Sequence, residues 1–368
     1  MKKKIVGWIV GIVVVVVVVV ASVTFYKRAP KEPEVYKIGA ILPLTGPGSI
    51  FAQYIKEGLD LAVDEINSTS SSKIKILYED SKNQPKEAVS AYNRLVATEK
   101  PPVVIVALSS IAKALAPLAT STKTVQIGIA VAIPIGGISE YVFRIYPEAH
   151  GMAGVMAKFD IEKLKLKTAG IIYINDEFGR YSYEVFKESF EKLGGKIVFA
   201  ESYELLQKDY RSQIMKLKRT NPNCIYLNGY GIAYGIIVKQ LKELGVTSQL
   251  TADMTLGLPN TLEQAGDAAE GVYFVDGKMS TEFTKKFLNK YQKEPTSYAG
   301  YAYDQINILY KIIRENKLFT SDVIKGDLLK IKDYPGAMGE ISILPNGEST
   351  VEFVAKQIKN GSPILVQD

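Results

Sequence analysis

Residues 38–67 read IGAILPLTGPGSIFAQYIKEGLDLAVDEIN. Ile38 to Leu42 is a continuous apolar run, the pattern of a strand buried on both faces of a parallel sheet. Pro43 and Gly46-Pro47-Gly48 then break the chain, because proline fixes φ and glycine tolerates turn conformations. Ser49 stands as an N-cap, and beyond it Phe51, Ile55, Leu59, Ala62 and Ile66 recur at near-helical spacing. The stretch predicts a strand, a short Gly-rich loop and a helix, the opening unit of an α/β domain. Its loop lies at the carboxyl end of the first strand, where open α/β sheets bind ligands.

The same alternation continues outward. Strands are predicted over 73–78, 103–108, 125–129 and 141–145, with helices over 84–98 and from Ile111 between them. After Pro147 the pattern restarts with a helix over 149–163 and strands over 168–174, 196–200, 224–228, 249–251 and 271–275. Helices over 180–193, 209–219 and 234–244 separate them. Two long helices follow, 281–291 and 298–317, then strands 339–343 and 351–358 around a turn at Pro345-Asn346-Gly347. At 368 residues the chain is long enough for two lobes of roughly 150 residues each.

The N-terminus differs from the rest. Lys2-Lys3-Lys4 precede 22 uncharged residues, Ile5 to Tyr26, with eight consecutive valines from Val13 to Val20. A helix of that length measures roughly 33 Å, enough for a bilayer core, whereas a secretory signal has an apolar region of only about 7–15 residues. Residues 1–26 are therefore expected to be an uncleaved transmembrane anchor, with a signal cleaved after Ala21 as the alternative. The basic start places the body on the extracytoplasmic side of the cell membrane. Residues 27–35, KRAPKEPEV, read as a linker.

Composition excludes several classes of function. The net charge of +6 is concentrated at the start, where residues 1–35 hold six basic and two acidic side chains. The body keeps 39 basic against 37 acidic residues, a net of +2, which gives no electrostatic footprint for nucleic acid. One cysteine, Cys224, excludes a disulfide framework or a Cys-based zinc site within the chain. One histidine, His150, would have to carry every Ser-His-Asp or Cys-His arrangement, and it reads better as a structural residue. No GxGxxG or GxxxxGK[ST] follows a strand. No catalytic residue, metal ligand or cofactor is assigned.

Pro43-Leu44-Thr45-Gly46 and the helix Gly58-Leu-Asp-Leu-Ala-Val-Asp-Glu-Ile-Asn67 resemble the first βα unit of the solute-binding proteins of ABC transporters, the branched-chain amino acid (leucine/isoleucine/valine-type) receptors. Asp176-Glu177-Phe178-Gly179, Gly194-Gly195, Asp209-Tyr210, Asn221-Pro222-Asn223 and Tyr303-Asp304 follow in the family's order. The resemblance covers residues 36–368. It implies a type I periplasmic-binding fold of two doubly wound parallel-sheet lobes joined by three crossings, near 146–150, 275–278 and 335–339. The N-terminal lobe would comprise 36–147 with 277–336, and the C-terminal lobe 148–276 with 337–368. A small-molecule ligand would bind between the lobes for delivery to an ABC permease, by closure and without covalent chemistry.

The resemblance also implies site residues. Ser109 and Ser110 would hold a ligand carboxylate, a role that two hydroxyls at a helix N-terminus suit independently, although a plain N-cap fits them as well. Ala130 and Ala132 occupy a segment that usually supplies a hydroxyl for an amino group, and neither has one. Tyr230 would cover the ligand. An acid expected near residue 255 is replaced by Thr255, and Asp253 substitutes only if the register slips by two. Tyr183 and Tyr303 would wall the cleft, or else be half-buried tyrosines with no role in it. An amino acid or a related carboxylate fits this pattern, with a sensor ectodomain working through a signalling partner as the alternative use of the fold and an α/β enzyme as the more remote one.

Overall fold

A computed structural model describes residues 35–131, 135–148, 150–316 and 318–366, and Tyr36–Asp368 fall in one compact unit. The anchor expected over 1–26, nearly all of the linker, and Ala132 lie outside the described residues. Among the described residues no helix is long and apolar enough to cross a membrane.

The first sheet contains β1 (Val35–Leu42), β2 (Lys73–Asp80), β3 (Val103–Ala107), β4 (Val125–Ile129) and β5 (Val142–Arg144) in the order β2-β1-β3-β4-β5. β1, β3, β4 and β5 pair in parallel, with Gly39 opposite Val104 and Ile105 opposite Ile127. Helices α1 (Ser49–Thr69), α2 (Pro85–Thr98) and α3 (Ser109–Thr122) connect its strands. β3 and β4 are buried throughout, as parallel strands are when helices cover both faces of the sheet.

A π turn (His150–Gly154) leads into α4 (Val155–Glu162) and the second sheet. Here β6 (Thr168–Ile174), β7 (Lys196–Tyr203), β8 (Cys224–Asn228), β9 (Gln249–Ala252) and β10 (Tyr273–Gly277) lie in the order β7-β6-β8-β9-β10. This repeats the first sheet's order, and β6, β7, β8, β9 and β10 are parallel. α5 (Glu177–Lys192), α6 (Arg211–Thr220), α7 (Ile232–Glu243) and the short α8 (Pro259–Ala265) complete this lobe's crossovers.

From β10 the chain returns to the first lobe with α9 (Thr281–Tyr291), α10 (Ser297–Glu315) and α11 (Ser321–Leu328). α10 packs so closely on α1 that a Cβ at Gly58 would lie 2.1 Å from the Ala299 carbonyl oxygen. Only glycine leaves room for that approach.

The C-terminal portion departs from expectation in three ways. Pro345-Asn346-Gly347 does turn the chain, with Ile343 bridged antiparallel to Ser349 and the Thr350 amide donating to the Ser342 carbonyl at 2.9 Å, but the strands on either side then part. Instead β12 (Gly339–Ile341) pairs with β11 (Tyr334–Gly336), while β13 (Phe353–Lys359) runs antiparallel beside β10. A second hairpin falls later, between β13 and β14 (Ser362–Leu365), where Asn360 and Gly361 both have positive φ, 51° and 71°. Asn-Gly is the preferred pair for such a turn. The second sheet is thus mixed, not wholly parallel, because no helix remains to make another crossover.

The third departure is the last crossing. The Arg144 amide donates to the Gly347 carbonyl at 2.8 Å, and the Gly136 amide donates to Glu348 Oε1 at 2.6 Å. Residues 337–349 therefore stay with the first lobe, and the return to the second sheet falls between Ser349 and Phe353, not at 335–339. Asp304 on α10 fixes the start of this segment by accepting the Ala337 and Met338 amides at 2.6 and 3.0 Å.

Two predictions follow from this packing. Gly58→Ala should lower stability by about 1–3 kcal/mol, measured by urea unfolding, because the helix pair must separate. Burial pushes the Asp304 carboxyl up to about 7. A raised folded-state pKa makes the fold bind the proton more tightly than the unfolded chain, so this group's contribution is lost as pH rises from about 4 to about 7. Asp304→Asn, although less stable, should show a shallower pH slope in that window, by up to about 1.4 kcal/mol per pH unit. An unchanged slope would mean that Asp304 stays ionised.

Candidate functional site

In a sheet ordered 2-1-3-4-5 the strand connections reverse direction between the first and third strands, and the crevice beyond their carboxyl ends is open. Here this occurs twice, between β1 and β3 and between β6 and β8. Residues that follow these strands line one cavity, partly open to solvent.

On the first lobe, Phe51 and Ile55 of α1 line the cavity. Leu108, between β3 and α3, has φ 80° and ψ 135°, a conformation that costs a leucine on the order of 1–3 kcal/mol. It is held there at both ends: its amide donates to the Ile129 carbonyl at 3.0 Å and its carbonyl accepts from the Ala112 amide at 2.8 Å. This turn presents Ser109 and Ser110 at the start of α3, which has no side-chain cap. The amides of such a first turn have no partner within the helix and carry its partial positive charge. Ser109 Oγ accepts from the Val131 amide at 3.2 Å, tying this loop to the segment after β4, where Ala130 and Val131 also line the cavity.

On the second lobe, Asp176 caps α5, with Oδ1 accepting from the Gly179 amide at 2.8 Å. Its Oδ2 accepts from the Tyr230 hydroxyl at 2.6 Å, and burial pushes the carboxyl above its ordinary range. Burial and the neighbouring Asp176 also push the Tyr230 hydroxyl up, so it remains a donor. Tyr230 sits between Gly229 and Gly231, and any Cβ at Gly229 would lie 1.7 Å from the Tyr203 hydroxyl oxygen. The Gly-Tyr-Gly turn is therefore a requirement of close packing.

Aromatic rings join the lobes. Phe51 stacks on Tyr298 at 5.6 Å and meets Tyr230 edge-on at 5.8 Å, while Tyr146 lies 5.9 Å from Tyr298. Lys113 of α3 reaches Glu177 of α5 at 2.8 Å across the mouth. Lys113 is more than half exposed, so the pair adds little stability.

Of the residues singled out in the sequence, Ser109, Ser110, Ala130, Tyr230 and Thr255 line this cavity. Asp253 does not: it is wholly buried behind Thr255 and accepts from Asn228 Nδ2, the Gly229 amide and the Thr255 amide at 2.8, 2.9 and 2.7 Å. Burial pushes this carboxyl up to about 6. Tyr183 stacks on Tyr173 at 4.8 Å, and Tyr303 bonds Glu65 and Lys286 at 2.6 and 3.1 Å, both away from the cavity. Sequence reasoning missed Phe51, Tyr146, Asp176, Phe178 and Tyr298 as lining residues. Asp176 was within reach of the rule that found Ser109, since it follows the first strand of its own sheet; Tyr298, brought in by α10, carried no local signal.

The pattern of the periplasmic binding protein family matches residues 35–361. A Leu/Ile/Val-binding protein homolog of Brucella melitensis is 28% identical over 253 residues, covering 67% of this chain and 68% of that protein. The crystal structure of the leucine binding protein LivK of Thermotoga maritima superposes with a TM-score of 0.85 at 25% identity, covering 90% of this chain and 98% of that one. A Rhodopseudomonas palustris ABC-transporter solute binding protein in complex with benzoate shares the fold at a TM-score of 0.82 and 19% identity, covering 90% and 95%. With two lobes of one strand order facing a common cleft, and with a family pattern that spans nearly all of the described body, the chain belongs to the periplasmic binding protein family.

Proposed function

We propose that the protein binds a small carboxylate, an amino acid or a related acid, in the cleft between its lobes and delivers it to an ABC permease. The observation that carries this reading is the uncapped N-terminus of α3, with Ser109 and Ser110, set in an aromatic cavity opposite Asp176 and Tyr230. First-turn amides and hydroxyls suit an anion, and in a partly buried site such an interaction contributes up to about 2 kcal/mol. Phe51, Phe178 and Tyr298 supply apolar surface for the rest of the ligand. Among relatives of this fold, one is a leucine binding protein and one was solved with benzoate, which brackets the class of acid. Residues 1–26 would tether the body at the extracytoplasmic face of the membrane. Closure of the lobes, with Lys113 meeting Glu177, would mark the loaded state for the permease.

Native mass spectrometry of residues 36–368, followed by denaturation, should release a small acid in near-stoichiometric amount. Ser110→Asp provides the sharper test. An acid in the first turn favours the helix, so the unfolding midpoint should not fall, yet the charge repels a carboxylate. Affinity for the released acid, measured by calorimetry, should drop at least tenfold. Unchanged affinity would rule out α3 as the anion site.

A further inference from the structure

We infer that Asp253, behind the cleft wall, carries a proton and donates it to the Thr255 hydroxyl, so that the wall facing the ligand is itself titratable. The inference deepens the cleft reading, on which only its ligand arm rests.

A threonine hydroxyl has one hydrogen to donate and lone pairs with which to accept. Thr255 Oγ1 nevertheless lies 2.5 Å from two oxygens at once, the Gly229 carbonyl and Asp253 Oδ1. Its own hydrogen fills one of these contacts, and the other needs a hydrogen from the far side. A carbonyl carries none, so the second hydrogen belongs to Asp253. The chain then runs from Asp253 Oδ1 to Thr255 Oγ1, and from Thr255 Oγ1 to the Gly229 carbonyl. Among the described residues that carbonyl has no other donor.

The neighbours place the proton on Oδ1. Oδ2 accepts two N–H groups, Asn228 Nδ2 at 2.8 Å and the Gly229 amide at 2.9 Å, whereas Oδ1 accepts only the Thr255 amide at 2.7 Å besides its contact with the hydroxyl. Asp253 is wholly inaccessible, and burial pushes it up to about 6 against the pull of these N–H donors. The titratable groups that face it are the hydroxyls of Tyr203 on β7, Tyr226 on β8, Tyr234 on α7 and Tyr298 on α10, each pushed up by burial and so neutral. Tyr234 donates to the Leu227 carbonyl at 2.8 Å. No lysine, arginine or histidine among the described residues bonds Asp253.

Asp253 is thus a positioning residue. It sets Thr255 and the turn at Gly229 and Tyr230, and Thr255 and Tyr230 line the cavity. Loss of the proton turns the Thr255 hydroxyl towards Asp253, frees the Gly229 carbonyl and leaves a negative charge behind the site. Like charges disfavour each other, so an acid in the cleft favours the protonated form. Affinity for an acid is therefore full below about pH 6 and falls as pH rises through it.

Carbon-13 NMR of residues 36–368 with labelled aspartate carboxyls tests this without a ligand, the signal being identified by its loss in Asp253→Asn. The carboxyl should titrate near pH 6. A midpoint at or below about 4, the ordinary aspartate value, would overturn the inference. Thr255→Val separates the two hydrogen positions. It removes the acceptor of the Asp253 proton, so the midpoint should fall by about 0.5 or more. A rise would mean that the hydroxyl donates to a carboxylate, and a rise or no change would overturn the inference. Calorimetry with leucine and with benzoate supplies the ligand arm: affinity for whichever binds should fall at least threefold from pH 5 to pH 7.5, and this fall should move to lower pH in Thr255→Val. A flat profile would overturn the link to the ligand. Binding of neither probe would count against the cleft reading and leave the carboxyl titration to decide this one.

Discussion

The buried pair of Arg144 and Glu348 is the constraint on which the first lobe's geometry depends. Arg144 stands at the end of β5, and its guanidinium reaches the segment after β4 as well as the turn that precedes the last crossing. One side chain thus joins three stretches of chain that are distant in sequence. Breaking such a pair costs far more than its formation gains, because the partner left behind is an uncompensated buried charge. The pair fixes where the chain re-enters the second sheet and, in the same stroke, the shape of one cleft wall.

The first half of the chain was readable because local signals agreed with the global fold there. Apolar runs marked buried strands, and helices followed them with regular apolar faces, so a parallel sheet with helical connections followed from general rules. The C-terminal portion was not readable in the same way. Pro345-Asn346-Gly347 turns the chain as its residues indicate, but the strands beyond it do not stay paired, and Glu348 beside it is recruited by an arginine some two hundred residues earlier. A second hairpin, at Asn360-Gly361, joins β13 to β14 and was not anticipated, because the strand that feeds it pairs with distant β10.

The site shows the same division. Ser109 and Ser110 follow a strand at a predictable place, and Tyr230 stands in a glycine turn visible in the sequence. Asp253 looked like the acid that the pattern lacked, yet its position after β9 turns it inwards to the amides of its own lobe. Two residues on, Thr255 lines the cavity that Asp253 does not reach. Tyr183 and Tyr303 failed for a related reason, since aromatic side chains on helices serve packing on either face.

The two helix ends that meet in the cavity are not equivalent: α5 is closed by its own Asp176, whereas α3 has no such cap. This asymmetry gives the cavity a polarity. Under the function proposed above, an acid would dock first on the lobe that carries α3 and would leave last from the lobe it reached first.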